Sequence, residues 1–252
     1  MKLISLNTWM GIVKEPLMDF ISAKRHDVDI FCFQEILNGG AEDAPRMWKD
    51  TGHVKDHQLL QHLQELLPDH RSFFYPHLSH WAGLGIFVHS NVELLEEGEF
   101  FVHGTQASTM GENDTKFNPH RNIQFAKVVV NEKPITIINF HSLWNGGAKL
   151  DNPERLSQSA RILEYTRKLN NDYVLCGDFN LEPNTESLKL LEASGLRNLI
   201  KEYGITSTRT KFYDKPVKFA DYVLVSRGIE VDDFKVLLDE VSDHAAMYLD
   251  FQ

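Results

Sequence analysis

Tyr173-Val174-Leu175-Cys176 is apolar throughout and runs directly into Gly177-Asp178-Phe179-Asn180. No other junction constrains the fold as strongly. A short run without polar alternation reads as a strand covered on both faces, which requires layers on either side of a sheet. Its end delivers a carboxylate and a carboxamide, two residues apart, to one point. The preceding glycine lets backbone come close to whatever binds there. A carboxylate that grips a water beside an amide that donates to an oxyanion suits phosphoester hydrolysis. Asp and Asn also start ordinary turns, so the junction gains weight only if other strands end the same way.

Hydrophobic patterning predicts strands near 2–7, 28–34, 71–76, 84–89, 92–103, 122–130, 134–140, 173–177, 219–225, 229–237 and 245–250. Helices are predicted near 15–26, 55–67, 153–169 and 185–194. Leu59, Leu60, Leu63, Leu66 and Leu67 form one apolar stripe on the second helix, and Asn152-Pro153 is a cap and first-turn signal for the third. Strands dominate and no linker or repeat interrupts them. The expectation is an α/β fold, two packed sheets with helices outside, in one domain over residues 1–252.

The formal net charge is −10, from 36 acidic and 26 basic residues, with no block of Lys/Arg. Broad electrostatic capture of duplex DNA calls for a basic face, so a high-affinity duplex-binding role is disfavoured. No apolar run is long enough to span a bilayer as a transmembrane segment, and Met1-Lys2 leads straight into the first strand without a secretory signal pattern. A cytoplasmic location is expected. Cys32 and Cys176 lie inside apolar runs and read as buried free thiols.

The other strands do end in polar residues. Asn7 closes Leu3-Ile4-Ser5-Leu6, Glu35 closes Ile30-Phe31-Cys32-Phe33-Gln34, and His141 follows Ile137-Ile138-Asn139-Phe140. Asp221 sits inside the otherwise apolar run Phe219-Ala220-Asp221-Tyr222-Val223-Leu224-Val225, where a buried carboxylate needs a partner, and Asp243-His244 precede the final strand. Singly each has a bland reading: a turn cap, a solvated strand end, a structural histidine. Recurrence at strand ends changes that, because one rim of layered sheets is where such sites are built.

This set, in this order, resembles the endonuclease/exonuclease/phosphatase superfamily of metal-dependent phosphoesterases. The resemblance rests on Leu6-Asn7, Phe33-Gln34-Glu35, Gly83-Leu84-Gly85-Ile86-Phe87, Asn139-Phe140-His141-Ser142, Gly177-Asp178-Phe179-Asn180, Asp221-Tyr222 and Ser242-Asp243-His244. It implies a four-layer α/β/β/α sandwich of two mainly antiparallel sheets. It further implies Glu35 as the principal metal carboxylate, with Asn7 and Asp243 completing the cation site. Magnesium is the expected ion, with manganese as a substitute, since hard oxygen ligands dominate. Asp178 would orient and deprotonate the attacking water, and Asn180 would hold a phosphate oxygen. His244, oriented by Asp221, would bind the phosphate or pass a proton. His141 would contact the phosphate from the other side and assist the leaving oxygen.

Weaker signals surround this core. Trp144 and Lys149 lie in a glycine-rich stretch that reads equally as a substrate loop or a plain connection. Lys211, in Thr210-Lys211-Phe212-Tyr213-Asp214-Lys215, has the same two readings, and Arg121 is a phosphate contact or, more readily, a surface residue. His53 and His57 are spaced one helical turn apart in a histidine-rich stretch, a zinc-like spacing without a convincing third ligand. Phe73-Phe74-Tyr75 with Trp81 is either an exposed apolar hairpin for a lipid substrate or ordinary core. The expected partner is a phosphate-ester substrate, with nucleic acid or a nucleotide among the candidates. The reading leans to phosphodiester cleavage, with a small-molecule or lipid-headgroup phosphoesterase as the alternative and a non-enzymatic binding module last.

Overall fold

The computed structural model describes residues 1–39, 52–78, 81–104, 120–144 and 147–252. Strands β1 (Lys2–Asn7) and β2 (Ile30–Leu37) pair in parallel, joined through helix α1 (Lys14–Lys24). Their alternating side chains divide the layers. Ile4, Leu6, Phe31 and Phe33 pack outward against Leu17, Phe20 and Ile21 of α1 and Leu59, Leu60 and Leu63 of α2 (Leu59–Leu66). Leu3, Ile30 and Cys32 turn the other way, into the core between the sheets. Strands β3 (His70–Leu78) and β4 (Ala82–His89) extend this sheet on one side of β2.

The second sheet contains β5 (Leu94–His103), β6 (Arg121–Val130), β7 (Lys133–His141), β8 (Asp172–Asp178), the two-residue β9 (Arg197–Asn198) and β10 (Asp221–Val225). Helix α3 (Pro153–Thr166) connects β7 to its parallel neighbour β8. The cap is the one the sequence signals: Asn152 Oδ1 accepts from the Arg155 N–H at 2.8 Å. With α4 (Glu186–Ala193) it covers the outer face, and the four-residue α5 (Leu199–Glu202) follows. Strands β11 (Val231–Val236) and β12 (Met247–Phe251) return to the first sheet.

The strand orders are β11-β12-β1-β2-β4-β3 and β5-β6-β7-β8-β10-β9. Among the described residues the strand pairs β1/β2 and β7/β8 are parallel and the others antiparallel. The architecture is thus the expected sandwich of two mainly antiparallel six-stranded sheets flanked by helices. Parallel partners end at the same rim, and the registers Asn7↔Gln34 and His141↔Asp178 bring four strand ends together there.

Near that rim the inter-sheet core turns polar. Gln34 Nε2 donates to Asn139 Oδ1 at 2.7 Å, and Asn139 Nδ2 donates to the Phe33 carbonyl at 2.9 Å. Gln124 Nε2 donates to the Phe73 carbonyl at 2.7 Å. Each such bond contributes a net ~1 kcal/mol, but leaving one partner unpaired would cost more. They therefore fix how the sheets sit on each other.

Two readings of the sequence need correction, and a third, left open between two alternatives, is decided. His53 and His57 precede α2 rather than riding on it, so their spacing has no helical meaning. Trp81 is fully buried, Phe73 packs into the inter-sheet core and Tyr75 donates its hydroxyl to Glu97. That segment is core, not an exposed hairpin. Arg121 is buried, not a surface residue. No helix among the described residues is long and apolar enough to cross a membrane.

Candidate active site

Each sheet contributes two strand ends. Asn7 and Glu35 come from β1 and β2, and His141 and Asp178 from β7 and β8. Glu35 sits at an irregularity in the β2/β4 register with φ +58°, in the left-handed region that non-glycine residues seldom occupy. The bulge re-aims its carboxylate from the sheet face to the rim. Asn180, φ +51°, makes a comparable turn after β8.

Gly177 has a reason different from the expected one. Its φ is +135°, and a Cβ there would lie 1.9 Å from the Phe140 carbonyl oxygen. Glycine is required because β7 passes too close, not because a ligand approaches. The close pairing is what sets His141 beside Asp178.

Asn7 stands between the sheets. Its Oδ1 accepts from the Trp9 N–H at 2.9 Å, which turns its amino group to the carboxylates. Nδ2 donates to Glu35 Oε1 and to Asp178 Oδ2, both at 3.1 Å. Asn7 therefore braces two acids and does not present its oxygen to them. Asp178 also accepts from the Asn180 N–H at 2.8 Å and from Asn180 Nδ2 at 3.3 Å. Lys149 Nζ donates to Asn180 Oδ1 at 2.7 Å.

The two histidines differ. His244 Nδ1 donates to both Asp221 oxygens, at 2.8 and 2.9 Å, leaving Nε2 3.7 Å from Asp178 and from Asp243. His141 Nε2 lies 3.6 Å from Asp178 and 3.8 Å from Glu35, but its buried Nδ1 has no hydrogen-bond partner among the described residues. The His77 ring packs edge-on against the His141 ring at 5.7 Å. Burial and the Arg121 guanidinium push His141 down to about 3, so its imidazole is neutral at physiological pH. Burial and Arg209 oppose protonation of His244 too, but Asp221, Asp243 and Asp178 outweigh them and raise its pKa. Burial would raise Asp178, yet Lys149, His244, His141 and Arg209 hold it well below the usual carboxylate range. Glu35 is raised, chiefly by burial and by the neighbouring Asp243 and Asp178, against the pull of His244 and Asn7.

The donor set fits a hard divalent cation. Asp243 Oδ1 is buried with no hydrogen-bond partner among the described residues, 3.7 Å from His244 Nε2, while Oδ2 is held by Arg209 Nη1 at 3.2 Å. A buried carboxylate oxygen without a hydrogen bond is costly unless further positive charge arrives. Glu35/His141/Asp178 and Asp178/Asp221/His244 are ligand groups whose atoms lie within 4.8 Å of one another. Cys32 and Cys176 are buried in the core between the sheets, so no thiolate competes.

These groups open into a cleft of about 320 Å³ lined also by Trp9, Met10, Arg121, Trp144, Tyr213 and Lys215. A model of the Endonuclease/Exonuclease/phosphatase family matches residues 4–244. The chain belongs to that family. Its members are metal-dependent phosphoesterases. A comparison with curated proteins found no match. Among solved structures, the Bacteroides thetaiotaomicron mannosyl-6-phosphatase is 18% identical with a TM-score of 0.73, covering 100% of this chain and 99% of that one. The human Nocturnin catalytic domain is 19% identical with a TM-score of 0.69, covering 100% and 93%. A humanized D. rerio TDP2 is 15% identical with a TM-score of 0.69, covering 100% and 98%. At such identities the likeness is one of fold.

In this member of the family, Asn7, Glu35, His141, Asp178, Asn180, Asp221, Asp243 and His244 come together, with Lys149 and Arg121 beside them. Arg121 donates Nε to the Ser142 carbonyl at 2.9 Å, and burial lowers its pKa only to about 10, so it stays charged. Trp144 is 40% exposed at the mouth with Lys215 5.9 Å over its ring. The glycine-rich stretch that holds it is only partly within the described residues. Lys211 is elsewhere, exposed and paired with Glu240. Arg209 is the residue that sequence reading passed over. It is drawn in by an isolated bridge to His244 and by Thr210 N–H donating to the Asp243 carbonyl at 3.2 Å. The available signal was its place just before Thr210-Lys211-Phe212-Tyr213, in the connection leading to Asp221.

Proposed function

We propose that the chain hydrolyses a phosphoester by in-line attack of a water that Asp178 orients. The observation that carries this reading is the double donation of Asn7 to Glu35 and Asp178, both at 3.1 Å, which couples acids from opposite sheets at one cleft. A divalent ion, magnesium by the hardness of the oxygens, would be held by Glu35 and Asp243 and would supply charge to offset that building on the phosphoryl oxygens.

The rest of the chemistry belongs to the side chains. Asp178 stays ionised throughout the working pH range, so it is always ready to accept from the water and takes its proton as the new bond forms. Asn180, anchored by Lys149, sets the position of Asp178 and faces the phosphoryl group. His244 is the imidazole better able to carry a proton, and its Nε2 is the donor toward a phosphoryl oxygen. Neutral His141 is a hydrogen-bonding contact rather than a proton source, which narrows the role expected for it. Four basic side chains, Arg121, Lys149, Arg209 and Lys215, line the cleft, and the acidic chain has no block of Lys/Arg, which favours a compact substrate over duplex nucleic acid.

Assay of the purified chain with magnesium against p-nitrophenyl phosphate and bis-p-nitrophenyl phosphate tests this. EDTA should abolish hydrolysis, magnesium should restore it, and Asp178→Asn should lower turnover by roughly three orders of magnitude. Substantial turnover surviving either change removes the reading.

A further inference from the structure

We propose that Arg209 and Lys149 form a clamp for a terminal, doubly charged phosphoryl group, so that the substrate is a phosphomonoester; this rests on the hydrolytic reading above. Arg209 is almost wholly buried, yet it lines the cleft. One edge is fixed by the 3.2 Å bond from Nη1 to Asp243, and the guanidinium carbon lies 4.0 Å from the centroid of the Tyr213 ring. Its buried Nε has no partner among the described residues. Lys149 Nζ is 5.9 Å from the same ring and bonded to Asn180. Two cations held about one aromatic ring repel each other, and burial plus Arg209 depress the lysine even against the pull of Asp178. Such an arrangement is stabilised by an anion placed against both, and the guanidinium of Arg209, with Nε unpartnered among the described residues, suits a phosphoryl oxygen.

Charge selects the kind of anion. With His244 neutral, the cleft's carboxylates, Glu35, Asp178 and Asp243 with Asp221 behind His244, are balanced by Arg121, Lys149, Arg209 and Lys215, and a proton on His244 adds one more positive charge that favours a dianion further. A divalent ion then adds two positive charges. A terminal phosphoryl dianion cancels both, whereas a diester leaves one uncompensated in a partly desolvated cleft. A terminal group also offers three non-bridging oxygens to the donors and needs only one exit for its substituent. In the reaction the water oxygen bonds phosphorus and the ester P–O bond breaks. The alcohol oxygen takes a proton, giving an alcohol and inorganic phosphate.

Anion binding provides a test independent of turnover. Calorimetric titration of the magnesium-loaded chain near pH ~8, where phosphate is mainly the dianion, would compare inorganic phosphate with dimethyl phosphate. The wild-type chain should bind phosphate at least about tenfold tighter. Arg209→Gln and Lys149→Met should each erase that preference, and Arg209→Lys, which keeps the charge, should retain part of it. Circular dichroism checks that the variants fold. With magnesium, wild-type kcat/KM should favour p-nitrophenyl phosphate over the bis ester. Equal binding of the two anions, or a preference for the diester in an otherwise active enzyme, overturns the clamp and leaves the hydrolytic reading standing. Discrimination between the anions with no hydrolysis of either ester supports the clamp and sinks the hydrolytic reading.

Discussion

Asn7→Asp swaps one nitrogen for oxygen and should make stability steeply pH-dependent. The new oxygen would lie where Nδ2 now sits, 3.1 Å from both Glu35 and Asp178. At an effective dielectric constant of ~20, one such charge pair repels by about 5 kcal/mol, and two by about twice that. Keeping the new carboxyl protonated is easier, costing ~1.4 kcal/mol per pH unit above its unfolded pKa of ~3.9. The folded state therefore holds a proton that the unfolded state has released. A carboxyl whose folded pKa is raised gives stability that is intact below the unfolded value and is lost as pH rises toward the folded one. The stability gap to wild type should widen by about 1.4 kcal/mol per unit between roughly pH 5 and 7.5, reaching about 5 kcal/mol at the top. In thermal melts that is a difference growing by roughly 3–5 °C per pH unit. Asn7→Ala, which loses both bonds without adding charge, should show an offset with little slope. Melting both variants in EDTA by circular dichroism decides the matter: parallel curves for wild type and Asn7→Asp across that range would refute the argument that Asn7 bridges two ionised acids. Millimolar magnesium should flatten the slope if these carboxylates hold the ion.

Two further outcomes are expected. Asp221→Asn removes the carboxylate that accepts from His244 Nδ1, so turnover should fall about 10²–10⁴-fold, and a fall of less than threefold in steady-state assays would show that His244 needs no orienting partner. Arg155→Met should destabilise by about 2–4 kcal/mol, because the buried Arg155 donates to the carbonyls of Leu143, Ala148 and Leu150, which would be left unpaired; urea denaturation near the wild-type midpoint would contradict that structural role.

What the sequence made legible follows from what patterns encode. Unbroken apolar runs such as Val174-Leu175-Cys176 are buried on both faces because they end between two covered layers, and strand ends such as Asp178 and His141 are where the patterns stop. The bulge that turns Glu35 to the rim was not legible, because its φ of +58° depends on β4 pairing beside it. Arg121 read as a surface residue because charge normally implies exposure, whereas the Ser142 carbonyl and nearby Glu35 and Asp178 permit its burial. Arg209 carried no local pattern, since only the long-range bridge to His244 makes it part of the cleft. The Asp221 partner of His244 is the one the resemblance implies, whereas the buried setting that keeps His141 neutral, its Nδ1 unpartnered among the described residues, was not legible in sequence. The histidine-rich stretch dissolved into unrelated roles, with His62 bonded to Asp56 and His70 to the Val28 carbonyl.

The polar seam of Gln34, Asn139 and Gln124 should make assembly of the cleft wait on correct docking of the two sheets. Directional bonds are satisfied in one docking of the two halves and not when either slides by a residue. A collapsed intermediate with both halves formed but misaligned would bury its apolar surface and still be inert. During refolding, recovery of catalysis should therefore lag behind the fluorescence change that reports burial of Trp81.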